Sequence, residues 1–486
     1  MMGIPSVWLM KNAGEHVAQA AIRYMSENRR AAIFCGSGNN GGDGIAAGVY
    51  LIRRGFDVRV ILVGEQEKMT PDTKDMELRL MEVGGRLEQF SPADSIEYAE
   101  LSDCAVIIDC IFGLGLSRPL TGNARLAVEL INSSAVPVVA ADIPSGVEAD
   151  TGRIMGVGVK CTETVTFSMA KPGHFAQPGC TLCGELSIVD IGIPKQLIQS
   201  ISSSCHALTP EDVRLPKRPR ISHKGDYGRL LIIGGSIGYT GAVSLASHAA
   251  VRSGAGLVSI LVPQSIYNIT AVKNDEAMPY PLPDCDGLIS GGSADIIARR
   301  LKHSTACVIG PGLGRSPELS KLVPRLVSES ELPMVIDADG LYALSQNMQA
   351  LKDSKAHIVL TPHEGEFARL GGILTENRIQ DARDFSKEYG CVLVLKGHRT
   401  VCAFPDGSVY IVGAGNPGMA KGGSGDVLSG IIGAFIAQLP LKQAVTTAAF
   451  IHSHTGDLCA RYYGEYSMTP SDIIRTLPET IMSITV

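Results

Sequence analysis

No run of about eighteen apolar residues occurs in the 486-residue chain, so a membrane-spanning helix is not expected. The most apolar C-terminal stretch, Val427 to Leu439, is short and broken by Gly430 and Gly433, and reads as a buried helix. Blocks of like charge are missing too: 43 basic and 49 acidic residues, net −6, are interspersed. That excludes a nucleic-acid footprint or a polybasic membrane anchor and leaves small molecules as the expected partners. The opening Met-Met-Gly-Ile-Pro-Ser-Val-Trp has no basic residue ahead of its apolar stretch and no small-residue cleavage site. A signal peptide is therefore not expected, and a cytoplasmic location is. The Walker A pattern is absent, because Lys421 is followed by Gly422 and Gly423 where Ser or Thr would stand, which excludes a P-loop. The twelve cysteines lie mostly in strand-like apolar runs, as at Cys104, Cys307 and Cys391, and suit small buried hydrophobes better than a disulfide framework. Cys180 and Cys183 form one Cys-x-x-Cys with nothing nearby to complete four zinc ligands, and read as structural.

What is present is apolar material, 45% of the residues, enough for two domains of ordinary size. In the first 200 residues strand-like and helix-like patterns alternate: Ala31 to Cys35, Gly44 to Arg54, Asp57 to Val63, then a polar helix from Pro71. Such alternation implies an α/β fold, a parallel sheet wrapped on both faces with ligands at the carboxyl ends of the strands. A Ser- and Pro-rich stretch, residues 201–224, reads as a linker between a domain at 1–200 and one at 225–486. The second alternation runs through Leu230 to Ile233, a helix from Gly241 to Ser253, Val258 to Val262, Cys307 to Ile309, Met334 to Asp337, Ile358 to Leu360 and Val392 to Leu395. No internal repeat relates the halves, so they are different domains.

The most informative segment is Gly415-Asn-Pro-Gly-Met-Ala-Lys-Gly-Gly-Ser-Gly-Asp426, which sets one carboxylate among backbone amides at an expected helix start. Unpaired N–H groups and the positive end of the helix dipole can hold a phosphoryl group in transfer, with Asp426 as general base or orienting group for an acceptor hydroxyl. The same glycines would also suit a helix packed closely on a sheet. Upstream, Ser236-Ile-Gly-Tyr-Thr-Gly-Ala242, Pro311-Gly-Leu-Gly314 and Thr361-Pro-His-Glu-Gly-Glu366 follow strands, and Asp337-Ala-Asp339 forms a strand-end acidic pair that could be structural.

In the first half, strand Ala31 to Cys35 runs into Gly36-Ser-Gly38-Asn39-Asn40-Gly41-Gly42-Asp43-Gly44, and Glu65 ends the next strand. The Gly-x-Gly-x-x-Gly spacing alone is a weak dinucleotide fingerprint; Asn39, Asn40 and Asp43 crowd a turn usually left to backbone N–H groups. Two further strand ends supply Asp109 and, in Ala-Asp-Ile-Pro-Ser-Gly, Asp142 with Ser145. These oxygens suit a monovalent or hard cation plus one carboxylate for proton work, though Asp142 and Ser145 also suit a turn cap.

Together these first-half motifs resemble the NAD(P)H-hydrate epimerase domain over roughly Gly3 to Pro194. The resemblance implies that Asn39, Asn40, Gly41, Gly42 and Asp43 hold the hydrated nicotinamide with the loop Gly113, Leu114, Gly115, Leu116, Ser117, Arg118 and Pro119. It further implies K+ among Asn40, Asp109 and Ser145, with Asp142 as acid–base residue; Lys171 could lie nearby but receives no role. The family pattern has a helical segment upstream of Leu9-Met-Lys-Asn-Ala-Gly14, and the dimer or site wall it supports is left open here.

From Leu208 to Val486 the chain resembles the ADP-dependent NAD(P)H-hydrate dehydratases, with a ribokinase-like α/β fold. By that resemblance Ala242, Gly314 and His363 contact the hydrate. Lys396, Gly397, His398, Arg399, Thr400 and Gly425 hold the adenine nucleotide, Asp426 faces the substrate hydroxyl, and Mg2+ accompanies the phosphates of ADP, the phosphoryl donor. Glu364 stands where the family has proline or a small residue, and Lys421 where it has a small hydroxyl residue. The implied whole is a two-domain repair enzyme, expected as a homo-oligomer, that epimerises R- and S-NADHX and NADPHX and dehydrates the S form with ADP, giving AMP and phosphate. The alternatives are a kinase for a small vitamin precursor with a non-catalytic Rossmann-like domain, which would leave a stable phosphorylated product, and a non-catalytic binding module, which should have lost Asn40, Asp109 or Asp142. An oxidoreductase would need a hydride-transfer constellation that the sequence does not offer.

Overall fold

The computed structural model describes residues 4–91, 101–201 and 203–485. The chain divides into two compact units, Met1–Ser203 and Ser204–Val486, each with its own sheet. In the first, seven parallel strands lie in the order β3-β2-β1-β4-β5-β6-β7. They are β1 (Arg30–Cys35), β2 (Asp57–Leu62), β3 (Leu87–Gln89), β4 (Val106–Cys110), β5 (Val138–Ala141), β6 (Glu163–Phe167) and β7 (Glu185–Val189). Near-continuous apolar runs such as Ile33-Phe34-Cys35 and Val106-Ile-Ile108 are fully buried, as a sheet covered on both faces requires. The strand order reverses between β1 and β4, so the chain leaves these two neighbours in opposite directions and opens a crevice at their carboxyl ends.

Glycines set how tightly that crevice closes. A Cβ on Gly36 would lie 2.0 Å from the Ile111 carbonyl oxygen, and one on Gly41 1.7 Å from that of Gly36. Helix α1 (Ser6–Ile22) packs on α2 (Asn39–Arg53), which in turn contacts α3 (Pro71–Glu82). Helix α2 begins at Asn39, earlier than the expected Gly44, because the Asn-Asn-Gly-Gly stretch forms its first turn, where intrahelical acceptors are not yet needed.

The second unit is built on ten strands in the order β11-β10-β9-β14-β15-β16-β17-β18-β19-β8. Its parallel centre comprises β9 (Arg229–Ile233), β10 (Leu257–Pro263), β11 (Met278–Leu282), β14 (Ala306–Ile309), β15 (Met334–Ile336), β16 (Ile358–Leu360) and β17 (Val392–Leu395). The short pair β12 (Asp284–Cys285) and β13 (Leu288–Ile289) stands apart, and β18 (Val401–Ala403) and β19 (Val409–Val412) continue the sheet antiparallel. Part of the stretch expected as a linker belongs to this sheet: β8 (Cys205–Leu208) pairs parallel with β19, His206 stacks on Tyr410, and Val213 is buried. Composition concealed it, since the flanking Ser and Pro residues outweigh a four-residue edge strand.

Helices α4 (Thr240–Arg252), α5 (Ser424–Ile436) and α6 (Leu441–Ser467) cover one face. The apolar stretch from Val427 is the buried helix α5, with Val427, Ile431 and Ile432 inaccessible to solvent. Its glycines allow two close contacts: a Cβ on Gly430 would meet the Ala246 carbonyl oxygen at 2.1 Å, and one on Gly433 would meet Val308 Cγ2 at 2.4 Å. Among the described residues no helix is long and apolar enough to cross a membrane. Because the partner of Gly430 is backbone, Gly430→Ala must push α5 off α4. A loss of about 1–3 kcal/mol from the stability of the second unit is expected in urea denaturation, and an unchanged midpoint would contradict this packing.

Candidate active sites at the two sheet edges

At the β1–β4 crevice the three expected strand ends converge. Asp109, on β4, is fully buried; its Oδ1 accepts hydrogen bonds from Ser145 Oγ (2.6 Å) and Ile111 N (3.3 Å), and its Oδ2 accepts one from Ser145 N (2.8 Å). Burial outweighs these bonds and pushes the Asp109 carboxyl up to about 6. The Ser145 hydroxyl also accepts from Phe112 N at 2.8 Å. Asn40 faces Gly113 so closely that a Cβ there would sit 3.2 Å from the Asn40 amide, yet its buried Nδ2 has no hydrogen-bond partner. One carboxylate with a hydroxyl carries a single negative charge, which with the Asn40 amide oxygen fits a monovalent cation, whereas the unengaged Nδ2 is a donor and fits an acceptor oxygen.

Asp142 follows β5 with φ +66°, a left-handed conformation costing roughly 1–2 kcal/mol for a residue with a Cβ. Its Oδ1 accepts from Thr166 Oγ1 (3.0 Å) and pairs with the Lys171 ammonium, both groups being nearly buried. His174 fixes the strained peptide from behind. Its Nδ1 accepts from Lys171 N (3.0 Å), so Nε2–H donates to the Asp142 carbonyl (2.8 Å). Burial holds this ring down to about 4, neutral at physiological pH. Asp43 lies within electrostatic reach of Asp142; burial first, then the Asp142 charge, raise its carboxyl well above the ordinary range. The other expected contacts divide. Asn39 accepts from Thr70 Oγ1 (2.8 Å), whereas Gly41 and Gly42 are packing positions, a Cβ on Gly42 meeting Met10 Sδ at 2.5 Å. In the loop from Gly113 to Pro119, Leu116 is buried in the apolar cluster beneath and Leu114 is exposed.

In the second unit the carboxylate of the Gly-rich segment sits as expected at a helix start. Gly423, with φ +102°, caps α5, and Asp426 lies in its first turn. Beside it the Lys396 ammonium donates to Asp337 Oδ1 (2.9 Å) and lies 3.7 Å from Glu366. Burial pulls that lysine down, but Asp337, Glu366 and Asp426 outweigh burial and the net shift is up. Asp426 is pushed to about 7 by burial first, then by Asp337; Lys396 opposes the shift. Gly425 permits this proximity, since a Cβ there would stand 3.1 Å from the Lys396 nitrogen.

Around this centre Ala242 packs against Gly312, while Gly314 N–H donates to Asp339 Oδ2 (3.1 Å) and Arg315 Nε to Asp339 Oδ1 (2.8 Å). His363 caps the helix Glu364–Arg369 in a reciprocal box: its Nδ1 accepts from Gly365 N (3.0 Å), and Glu366 Oε2 accepts from His363 N (2.9 Å). In the loop expected to hold the nucleotide, Gly397 packs against the Arg378 guanidinium, Arg399 has φ +63°, and Thr400 Oγ1 donates to the Gly397 carbonyl at 3.4 Å. Lys421, at the family's small-hydroxyl position, donates to the Tyr466 and Met468 carbonyls (2.6 Å each) and so ties the motif loop to the end of α6.

Sequence reasoning left Lys171 without a role and missed His174, Thr166 and Arg378; it weighed Asp337 as structural. Lys171 and His174 share one Lys-Pro-Gly-His turn, a signal that could have paired them, but their meeting with Asp142 is made by the sheet.

A parallel-sheet domain with a carboxylate–lysine pair after β5, joined in one chain to a domain with a buried aspartate at a glycine-lined helix start, is the outline of a two-domain α/β enzyme. A family model described as NAD(P)H-hydrate dehydratase matches residues 230–479, and one described as YjeF-related protein N-terminus matches residues 6–173. The bifunctional NAD(P)H-hydrate repair enzyme of Moorella thermoacetica is 40% identical, covering 99% of this chain and 93% of its own. That of Escherichia coli strain K12 is 34% identical, with 99% and 90% covered. A ribokinase-like superfamily protein from Enterococcus faecalis V583, 26% identical, superposes with a TM-score of 0.52 over 59% of this chain and 98% of its own. The chain belongs to the bifunctional NAD(P)H-hydrate repair enzymes, which combine an epimerase with a dehydratase. Membership decides against the vitamin kinase, the non-catalytic module and the oxidoreductase.

Since His174 holds the Asp142 peptide in its strained form, His174→Phe is expected to lower epimerisation about tenfold or more while dehydration of the S-hydrate continues at its normal rate. Equal epimerisation by the variant would show that Asp142 needs no such support.

Proposed function

We propose that the β1–β4 crevice binds the hydrated nicotinamide ring of NADHX or NADPHX beside a potassium ion, and that Asp142 moves the proton that epimerisation requires. The carbon carrying the hydroxyl is bonded to the ring nitrogen. Removing the hydroxyl proton lets that carbon–nitrogen bond open to a carbonyl, and reclosure on the other face returns the proton and inverts the centre. Asp142 takes and returns the proton, and the Lys171 ammonium at its Oδ1 keeps the carboxylate oriented. Asn40, Asp109 and Ser145 would hold K+, which supplies positive charge near the developing oxyanion. Support for the cation comes from the single buried Asp109 carboxylate with the Ser145 hydroxyl on it; the unpartnered Asn40 Nδ2, a donor, would meet an oxygen of the hydrate instead.

In the second domain Asp426 accepts the proton of the ring hydroxyl as that oxygen attacks the terminal phosphoryl group of ADP, and AMP departs. Phosphate leaves far more readily than hydroxide, so its elimination restores NADH or NADPH. The observation that carries this reading is the burial of Asp426 at the α5 start, where Lys396 stands beside the carboxylate and the first-turn amides would be free to receive a phosphoryl group. Asp337, Asp339 and Glu366 each lie within electrostatic reach of Asp426, with Lys396 on Asp337 and Arg315 on Asp339. Among the described residues no three acids gather as a ready metal site, so Mg2+ would come with the nucleotide phosphates, whose charge it would offset beside these acids. Buried thiols such as Cys35, Cys110, Cys307 and Cys391 suit a reducing compartment and support a cytoplasmic location; Cys104 is half-buried.

Two isosteric variants separate the roles. Asp142→Asn should dehydrate the S-hydrate normally while the R-hydrate persists. Asp426→Asn should interconvert the epimers yet lose about 1,000-fold or more in reduced cofactor formed. The assignments fail if Asp426→Asn still regenerates NADH at a rate near that of the unmodified chain, or if Asp142→Asn consumes both epimers at equal speed.

A further inference from the structure

Arg378 opens the helix Arg378–Tyr389 and is 6% exposed, so its charge is buried. All of its forked donors are spent on one neighbouring segment. Nη2 donates to the Leu395 (3.2 Å) and Lys396 (2.7 Å) carbonyls, and Nη1 to those of His398 (3.4 Å) and Arg399 (3.1 Å). Gly397 lies flat on the guanidinium: a Cβ there would stand 2.6 Å from Nη2. These bonds hold the turn in the shape that includes the left-handed Arg399. They also fix the backbone of Lys396, whose ammonium reaches Asp337. The remaining nitrogen, Nε, is 3.4 Å from Glu364 Oε1. Glu364 is half-exposed and directly follows His363, the residue expected at the hydrate.

We propose that Arg378 is a positioning residue for the nucleotide site and that Glu364, through its carboxylate at Nε, acts on that site only by helping to hold the guanidinium in place. The inference rests on the reading that residues 396–400 hold the adenine nucleotide. A planar fork with five donors can hold four carbonyls in one arrangement, and a lysine ammonium with three rotatable donors cannot. Glu364 supplies the carboxylate at Nε; of the loop's own charged or titratable groups, His398 lies within electrostatic reach of Arg378 and Arg399, and the Lys396 ammonium is held by Asp337.

The test is steady-state dehydration of the S-hydrate by the full-length chain carrying Arg378→Lys, Glu364→Gln or both, with direct titration of ADP by thermal shift. Arg378→Lys should raise KM for ADP about tenfold or more while KM for the hydrate stays within about twofold. Glu364→Gln should raise KM for ADP about two- to fivefold, and adding it to Arg378→Lys should raise that constant no further. A purely structural arginine would lower the melting temperature and leave the ADP constant unmoved. The proposal is overturned if the folded variants keep the normal KM for ADP, or if the constants for ADP and hydrate rise together. Should Arg378→Lys fail to fold, Glu364→Gln alone decides by the same criteria. Thr400→Ala and His398→Ala test the underlying reading separately: unchanged ADP binding in both removes the nucleotide assignment and the inference with it. Weakened binding in them with a normal Arg378→Lys removes the inference alone.

Discussion

Burial of the Asp426 carboxylate next to the Lys396–Asp337 pair is the constraint around which the second domain is organised. A shift from the ordinary carboxylate range to about 7 corresponds to a penalty of roughly 4 kcal/mol on the ionised form. The fold sustains that penalty through close approach: Gly425 lets the helix start meet the lysine, Gly423 packs it on Leu245 and Pro470, and Gly430 and Gly433 seat the helix between α4 and β14. Without Lys396 the acid would be more strongly protonated; without burial it would be an ordinary solvated carboxylate, ionised but a weak base. The geometry thus places a base poised near neutrality against a donor-lined turn, the combination that phosphoryl transfer to a hydroxyl requires.

The first domain solves a related problem by different means. Asp142 is oriented by Lys171 and Thr166, and its backbone is locked in a left-handed conformation by a neutral histidine. Asp109, in the same crevice, is instead engaged by Ser145. Two carboxylates at neighbouring strand ends thus differ in surroundings, one facing a lysine and the other a serine, and the roles proposed for them follow that difference. Fusion of the domains has a chemical logic, since dehydration of one epimer alone would strand the other.

Much of this was legible in the sequence because parallel sheets bury both faces, which writes each strand as an apolar run and leaves its terminal acid conspicuous. Asp109 and Asp142 stood out that way, and Asp426 by the Gly-rich segment that precedes its helix. The start of α2 was misplaced because Asn and Gly read as loop, although a first helical turn tolerates them. Strand β8 was taken as linker because four residues at a sheet edge carry little periodicity. Lys171, His174 and Arg378 act through contacts with residues brought near by the sheet, and spacing along the chain holds no trace of those contacts. Leu116, included in the expected binding loop by resemblance, has its side chain in the core, a placement that the spacing of the loop did not indicate.

The most direct measurement is the pH dependence of the dehydration step at saturating ADP and S-hydrate, for the unmodified chain and for Lys396→Met. Removing the cation that opposes the shift must raise the Asp426 pKa further. The rate should therefore rise with pH through an inflection at about 7 and, in the variant, through a higher one. A flat profile through neutrality, or an inflection that Lys396→Met leaves in place, would contradict a desolvated Asp426 as the proton acceptor.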